Sequence, residues 1–110
     1  MWVTIHGRGL ADAAVRERIE RRLDFALGRF GDQVRRVSIY LADVNGPRGG
    51  VDKLCRIAAE LPGHGRAVVE GVDDSLSAAI DRTADRVGQA VSRRLVLART
   101  TATAVRGRGG

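Results

Sequence analysis

Apolar residues in this chain alternate between a strand period and a helix period along its length, and the order of those periods constrains the fold more than any other feature. Trp2 to His6 holds the β-branched run Val3, Thr4, Ile5 and is closed by Gly7 and Gly9, which predicts a first strand. From Asp12 the spacing turns helical, with Val15, Ile19, Leu23, Ala26, Leu27 and Phe30 recurring on one side. Asp12 suits an N-cap and Gly31 a C-terminal stop. Val37, Ile39 and Leu41 then alternate with Arg36, Ser38 and Tyr40, the mark of a half-buried strand.

Asn45-Gly46-Pro47-Arg48-Gly49-Gly50 reads as a turn, being too rich in glycine and proline for a regular element. A third strand follows, with Cys55, Ile57, Ala59 and Leu61 on its inner side and Asp52, Arg56 and Glu60 on its wet side. Pro62-Gly63-His64-Gly65 reads as a hairpin turn into a short fourth strand over Arg66 to Glu70. Asp73-Asp74-Ser75 opens a last helix, whose inner stripe is Leu76, Ile80, Ala84, Val87, Val91 and Leu95. From Thr100 to Gly110 no period is visible, so residues 1–99 are expected to form one domain and residues 100–110 a flexible C-terminal tail.

The predicted order is therefore β-α-β-β-β-α. A helical crossover makes the first two strands parallel neighbours, and the tight turns make the others antiparallel. Each strand alternates, so one sheet face is buried and both helices belong on it. The expected fold class is α+β: a two-layer sandwich with a four-stranded mixed sheet.

Composition excludes several classes. At 110 residues, 44% hydrophobic and 29% charged, the chain suits one globular core rather than disorder. No apolar run approaches the roughly 20 residues of a membrane helix, and Met1 to Gly7 carries no basic and then apolar leader pattern, so neither a membrane partner nor secretion is expected. The single cysteine, Cys55, can build neither an internal disulfide nor a cysteine-rich metal site, and a reducing, cytoplasmic setting fits. Nineteen basic residues against thirteen acidic ones give a net charge of +6, and every basic residue except Lys53 is arginine. Arginine offers a planar donor fork to phosphate, so a polyanion is one reading of that excess; a high-GC genome that writes arginine where others write lysine, on a mixed-charge surface, is the other.

Position favours the first. At about 100° per residue, Arg18, Arg22, Phe25 and Arg29 fall within roughly 60° of each other beside the inner stripe of helix 1 (Ile19, Leu23, Ala26, Phe30). Arg82, Arg86, Gln89 and Arg93 form a second line opposite the inner stripe of helix 2. On adjacent helices the two lines would make one basic surface with a groove, suited to a nucleic-acid backbone, and Phe25 could stack on a base or ribose. Solvated pairs such as Glu17 with Arg21 or Arg82 with Asp85 are the plainer alternative.

Signals for catalysis, cofactors or small-molecule substrates are poor. His6 and His64 have no metal-ligand spacing, and Cys55 falls on the inner side of its strand, where a small inert hydrophobe is expected. Asp73 and Asp74 suit a helix start facing the dipole. Gly46-Pro47-Arg48-Gly49-Gly50 lacks the Gly-Lys-Ser/Thr ending of a phosphate loop. Arg106-Gly107-Arg108-Gly109-Gly110 is like a fragment of an arginine–glycine RNA-binding segment but is short.

The local sequence then meets the element order. Glu70-Gly71, Asp73-Asp74, Ala78-Ala79-Ile80-Asp81 and Asp85-Arg86, with Ile5-x-Gly7 and Arg29-Phe30, resemble the ribosome hibernation-promoting factor family, also called ribosome-associated inhibitor A or sigma-54 modulation protein. The resemblance runs from about Val3 to Leu97 and is to the short form, without the second domain that pairs ribosomes. It implies the β-α-β-β-β-α fold and a cytosolic, non-enzymatic protein. It also implies that the protein sits on the small ribosomal subunit, against ribosomal RNA, in the channel used by messenger and transfer RNA when growth slows. By position, Arg22, Arg86 and Arg93 match the family's basic sites. Phe25 and Gln89 stand where relatives often carry lysine or arginine, and Ser77 stands where tyrosine is common. Arg18, Arg29 and Arg82 come from the helical wheel alone. No DNA partner is expected. A general double-stranded RNA-binding module and a protein-interaction module with a basic surface are the alternatives; the former has no strand before its first helix and concentrates lysines where this chain has Asp73-Asp74-Ser75.

Overall fold

The structure, a computed structural model, describes residues 1–44 and 52–109, and of residues 98–109 it describes the backbone alone. The turn expected at Asn45 to Gly50 and the arginine side chains of the last residues lie outside the described residues. The elements are β1 (Trp2–His6), α1 (Ala13–Leu27), a 3₁₀ turn (Gly28–Gln33), β2 (Arg36–Asp43), β3 (Lys53–Leu61), β4 (Gly65–Asp73) and α2 (Leu76–Gly109). One sheet runs in the order β1-β2-β3-β4. β1 pairs parallel with β2, and β2–β3 and β3–β4 are antiparallel, as the crossover and the turns require. The α+β class and the four-stranded mixed sheet are as expected.

Strand alternation decides which face the helices cover. Val37, Ile39 and Leu41 of β2, with Cys55, Ile57, Ala59 and Leu61 of β3, are buried under Ile19, Leu23 and Leu27 of α1 and Ile80, Ala84, Val87, Val91 and Leu95 of α2. α1 opens on Asp12, whose carboxylate accepts the Val15 amide at 2.8 Å, satisfying an otherwise orphan donor. α2 opens on Ser75, whose hydroxyl accepts the Ala78 amide at 3.3 Å. Asp73 instead accepts the Ser75 amide at 3.2 Å and pairs with Arg82, so it supports the turn rather than capping the helix.

Several expectations need correction. α1 ends at Leu27, before Gly31, and the chain tightens into the 3₁₀ turn with Gly31 at φ 55°. Leu27 continues the Ile19–Leu23 stripe and is fully buried as expected, while Ala26 and Phe30, the latter carried off the stripe by the 3₁₀ turn, are only half-buried. Asp52 is buried rather than wet, because it precedes β3 and its alternation; Lys53 Nζ reaches its carboxylate at 3.2 Å. Apart from these differences, the backbone of α2 runs on to Gly109. No proline interrupts it beyond Thr100, and Gly107 and Gly109 fall only in its last turn. Among the described residues, no helix is long and apolar enough to cross a membrane.

Candidate nucleic-acid interface

The outer surface of the helix layer carries all eight residues singled out by sequence, but not as two parallel rows of free side chains. On α1, Arg18 and Arg22 turn toward α2 and share one carboxylate. Arg18 donates to Asp81 through Nε at 3.0 Å and Nη2 at 2.7 Å; Arg22 meets the same carboxylate through Nε at 3.0 Å and Nη2 at 3.2 Å. The hydrogen bonds from Arg18, with its charge and that of Arg22, hold the Asp81 carboxyl below the usual carboxylate range. The same contacts raise the Arg18 guanidinium. Asp81 thus fixes two arginine forks side by side at the surface, each still partly exposed.

Arg29 does not continue the α1 line. It lies in the 3₁₀ turn, its guanidinium 4.7 Å from the centre of the Phe30 ring, a cation–π contact. On α2, Arg82 and Arg86 bend away from α1. Arg82 donates to the Val72 carbonyl at 3.2 Å and to Asp73 at 2.9 Å, and Arg86 donates to the Glu70 carbonyl at 2.7 Å. The pair suggested by sequence, Arg82 with Asp85, is replaced by Arg82 with Asp73 because β4 brings its end beside the first turns of α2. Arg93 is exposed, with no partner among the described residues, and Gln89 is exposed on the α1 side.

The basic surface therefore has two flanks with a groove between them. Gly88 makes the groove possible: a Cβ there would stand 3.0 Å from the Ala26 carbonyl oxygen, so the helices touch backbone to backbone at that point. Phe25 stands on the rim, 83% exposed. Arg18, Arg21 and Arg22 line a depression on one side of its ring, and Ala26, Arg29, Asp85, Gly88 and Gln89 line the other. Sequence reasoning missed Asp81 and Asp85 as parts of this surface. Their signal was Gly88: Asp81, Asp85 and Gly88 fall on one strip, and a glycine inside a helix marks close backbone approach.

The other sheet face is open. Tyr40 stacks on His6 with ring centres 4.7 Å apart and planes 10° from parallel, and Trp2 is 70% exposed at the sheet edge. Cys55 is buried, and desolvation pushes its thiol up to about 11, as expected of an inert core residue. Among the described residues no group of histidine, cysteine or carboxylate side chains could hold a metal ion.

Residues 3–95 match the family model described as Sigma 54 modulation protein / S30EA ribosomal protein. The chain belongs to that family. Among solved structures it is similar to the N-terminal domain of Protein Y from Thermus thermophilus, at 31% identity and TM-score 0.68, over 84% of this chain and 98% of that one. It shares its fold with a ribosomal subunit interface protein from Coxiella burnetii, at 18% identity and TM-score 0.74, over 87% of this chain and 99% of that one. No curated protein matches the chain. The match spans the domain from β1 to the buried part of α2, so this Sigma 54 modulation / S30EA family member carries the family's region together with both arginine flanks.

Proposed function

We propose that this protein is a cytoplasmic, non-enzymatic ribosome-associated factor that binds ribosomal RNA of the small subunit through its helix layer. The bound body occludes the decoding channel and inhibits translation during hibernation or stress. One observation carries the reading: the arginines that match the family's basic positions, Arg22, Arg86 and Arg93, lie on the one surface that the sheet leaves to the helices. Arginine forks held by Asp81 and by β4 carbonyls are preordered donors, which suits phosphates of a folded RNA more than a flexible polyanion. Family membership and the likeness to Protein Y and to a ribosomal subunit interface protein support the ribosome as partner. The presence of β1, paired parallel to β2, favours this reading over a double-stranded RNA-binding module.

The test is co-sedimentation with purified ribosomal subunits across a salt series. Wild type should pellet with the small subunit and be released steeply as salt rises. Each phosphate contact adds about 0.7 to 0.9 to the log–log slope, so the folded triple variant Arg22→Glu/Arg86→Glu/Arg93→Glu should lose about 2 to 3 from it and most of its binding. Wild type that stays in the supernatant at low salt would overturn the reading.

A further inference from the structure

The groove beside Phe25 has a chemistry that phosphate binding does not explain. Phe25 is the most exposed large apolar side chain among the described residues. Across the groove stands Asp85, a carboxylate with no hydrogen bond or ion pair among the described residues. Arg18 and Arg22 are engaged by Asp81, Arg82 by Asp73 and the Val72 carbonyl, and Arg86 by the Glu70 carbonyl; Arg29, on the same groove lining, lies against the Phe30 ring and forms no ion pair with Asp85 among the described residues. A bare carboxylate repels phosphate, so it weakens a surface whose only task is to track a backbone. It suits a ligand that presents N–H donors instead. The groove floor between the helices is Gly88, which adds no side chain, and an aromatic ring stands on the rim.

We propose that this groove takes one unstacked RNA base that carries donors on its edge, guanine best, with Phe25 on the base face and Asp85 on the donor edge. Guanine offers adjacent N1–H and N2–H groups to the two carboxylate oxygens. Adenine and cytosine offer one amino group each, and uracil offers a single N–H flanked by two repelling carbonyls. Gln89, on the same groove wall, has an amide that can donate to a base carbonyl. Stacking on Phe25 tolerates any base, so the ring gives affinity and Asp85 gives the choice. The inference rests on the RNA-binding reading and sharpens it: recognition would not be by shape alone.

The test uses the full chain and fluorescence anisotropy at low salt, with labelled uridine octamers carrying G, A, C or U at one central position. The G octamer should bind roughly tenfold tighter than the all-U octamer, with A and C between. Asp85→Asn should remove that preference while binding of the all-U octamer holds or strengthens, since a negative charge is lost. Phe25→Leu should weaken every octamer, since any base can stack on the ring, while keeping the order of preference that Asp85 sets. Equal binding of all four octamers by wild type, a G preference that survives Asp85→Asn, or subunit binding with no octamer binding would each overturn the base site. Salt-steep subunit binding alongside any of these leaves the RNA-binding reading standing. Loss of both subunit and octamer binding removes the two together.

Discussion

The Thr83 hydroxyl occupies the space that a side chain on Gly71 would need. Gly71 sits in β4 opposite Cys55 of β3, and Thr83 of α2 packs fully buried above that pair. Its hydroxyl donates to the Ala79 carbonyl at 2.6 Å and lies 3.5 Å from the Cys55 carbonyl. A Cβ on Gly71 would overlap that oxygen, so α2 approaches the sheet this closely only because residue 71 is glycine. Gly71→Ala should therefore cost about 1 to 3 kcal/mol by overpacking. Thr83→Ala in the same chain should recover part of the loss, a non-additivity that thermal melts of the four variants would expose. Equal melting temperatures for wild type and Gly71→Ala would contradict the contact.

Asp81 ties acid stability to the helix–helix contact. Its carboxyl lies below the usual range because Arg18 and Arg22 favour the charged form. A carboxylate depressed in the folded state stabilises it above the unfolded value, about 3.9, and that contribution fades as pH falls through the lower folded value. Wild type should melt slightly above Asp81→Asn at neutral pH, the gap being small because the groups are partly solvated. The gap should close on acidification below about pH 4. A gap that persists to pH 2 in circular-dichroism melts would contradict this origin.

Cys55 should be chemically silent while the protein is folded. With its thiol pushed up to about 11 and no exposed surface, only roughly a thousandth is thiolate at pH 8. Labelling by a thiol-specific disulfide reagent should be slow in native buffer and immediate in strong denaturant. Rapid labelling in native buffer would show that the sheet opens at β3.

Asp12→Ala should remove the α1 cap and cost about 1 kcal/mol, a fall of roughly 4 to 8 °C in melting temperature for a domain of this size. Asp12→Asn keeps the acceptor for the Val15 amide and should fall much less. Equal losses in the two variants would assign the effect to charge rather than to the cap.

The residues show how far a sequence of this kind can be read. Ile19, Leu23, Ile80, Val87 and Val91 were legible because burial follows a helix period, and Cys55, Ile57 and Ala59 because it follows a strand period. Leu27 was legible on the same period, whereas Phe30 is only half-buried because it falls in a 3₁₀ turn, where the period changes and a wheel assumes it constant. Asp81 and Arg82 were harder. A wheel places both on the outer half of α2, yet one meets α1 and the other meets β4, and only the packing of neighbours separates them. Arginine direction depends on which acceptor the fold brings within reach of a long side chain.

Arg18 and Asp81 meet across 63 residues of chain, and the whole three-strand meander lies between them. Neither helix holds the surface alone, so a nascent or unfolded chain presents arginines but no ordered forks and no groove. An anion that docked there, as proposed, would favour finished molecules and hold them folded by mass action, adding about 2.7 kcal/mol to stability at a hundred times its dissociation constant. Under that proposal, chains that have not closed α2 over the sheet would lack the docking surface.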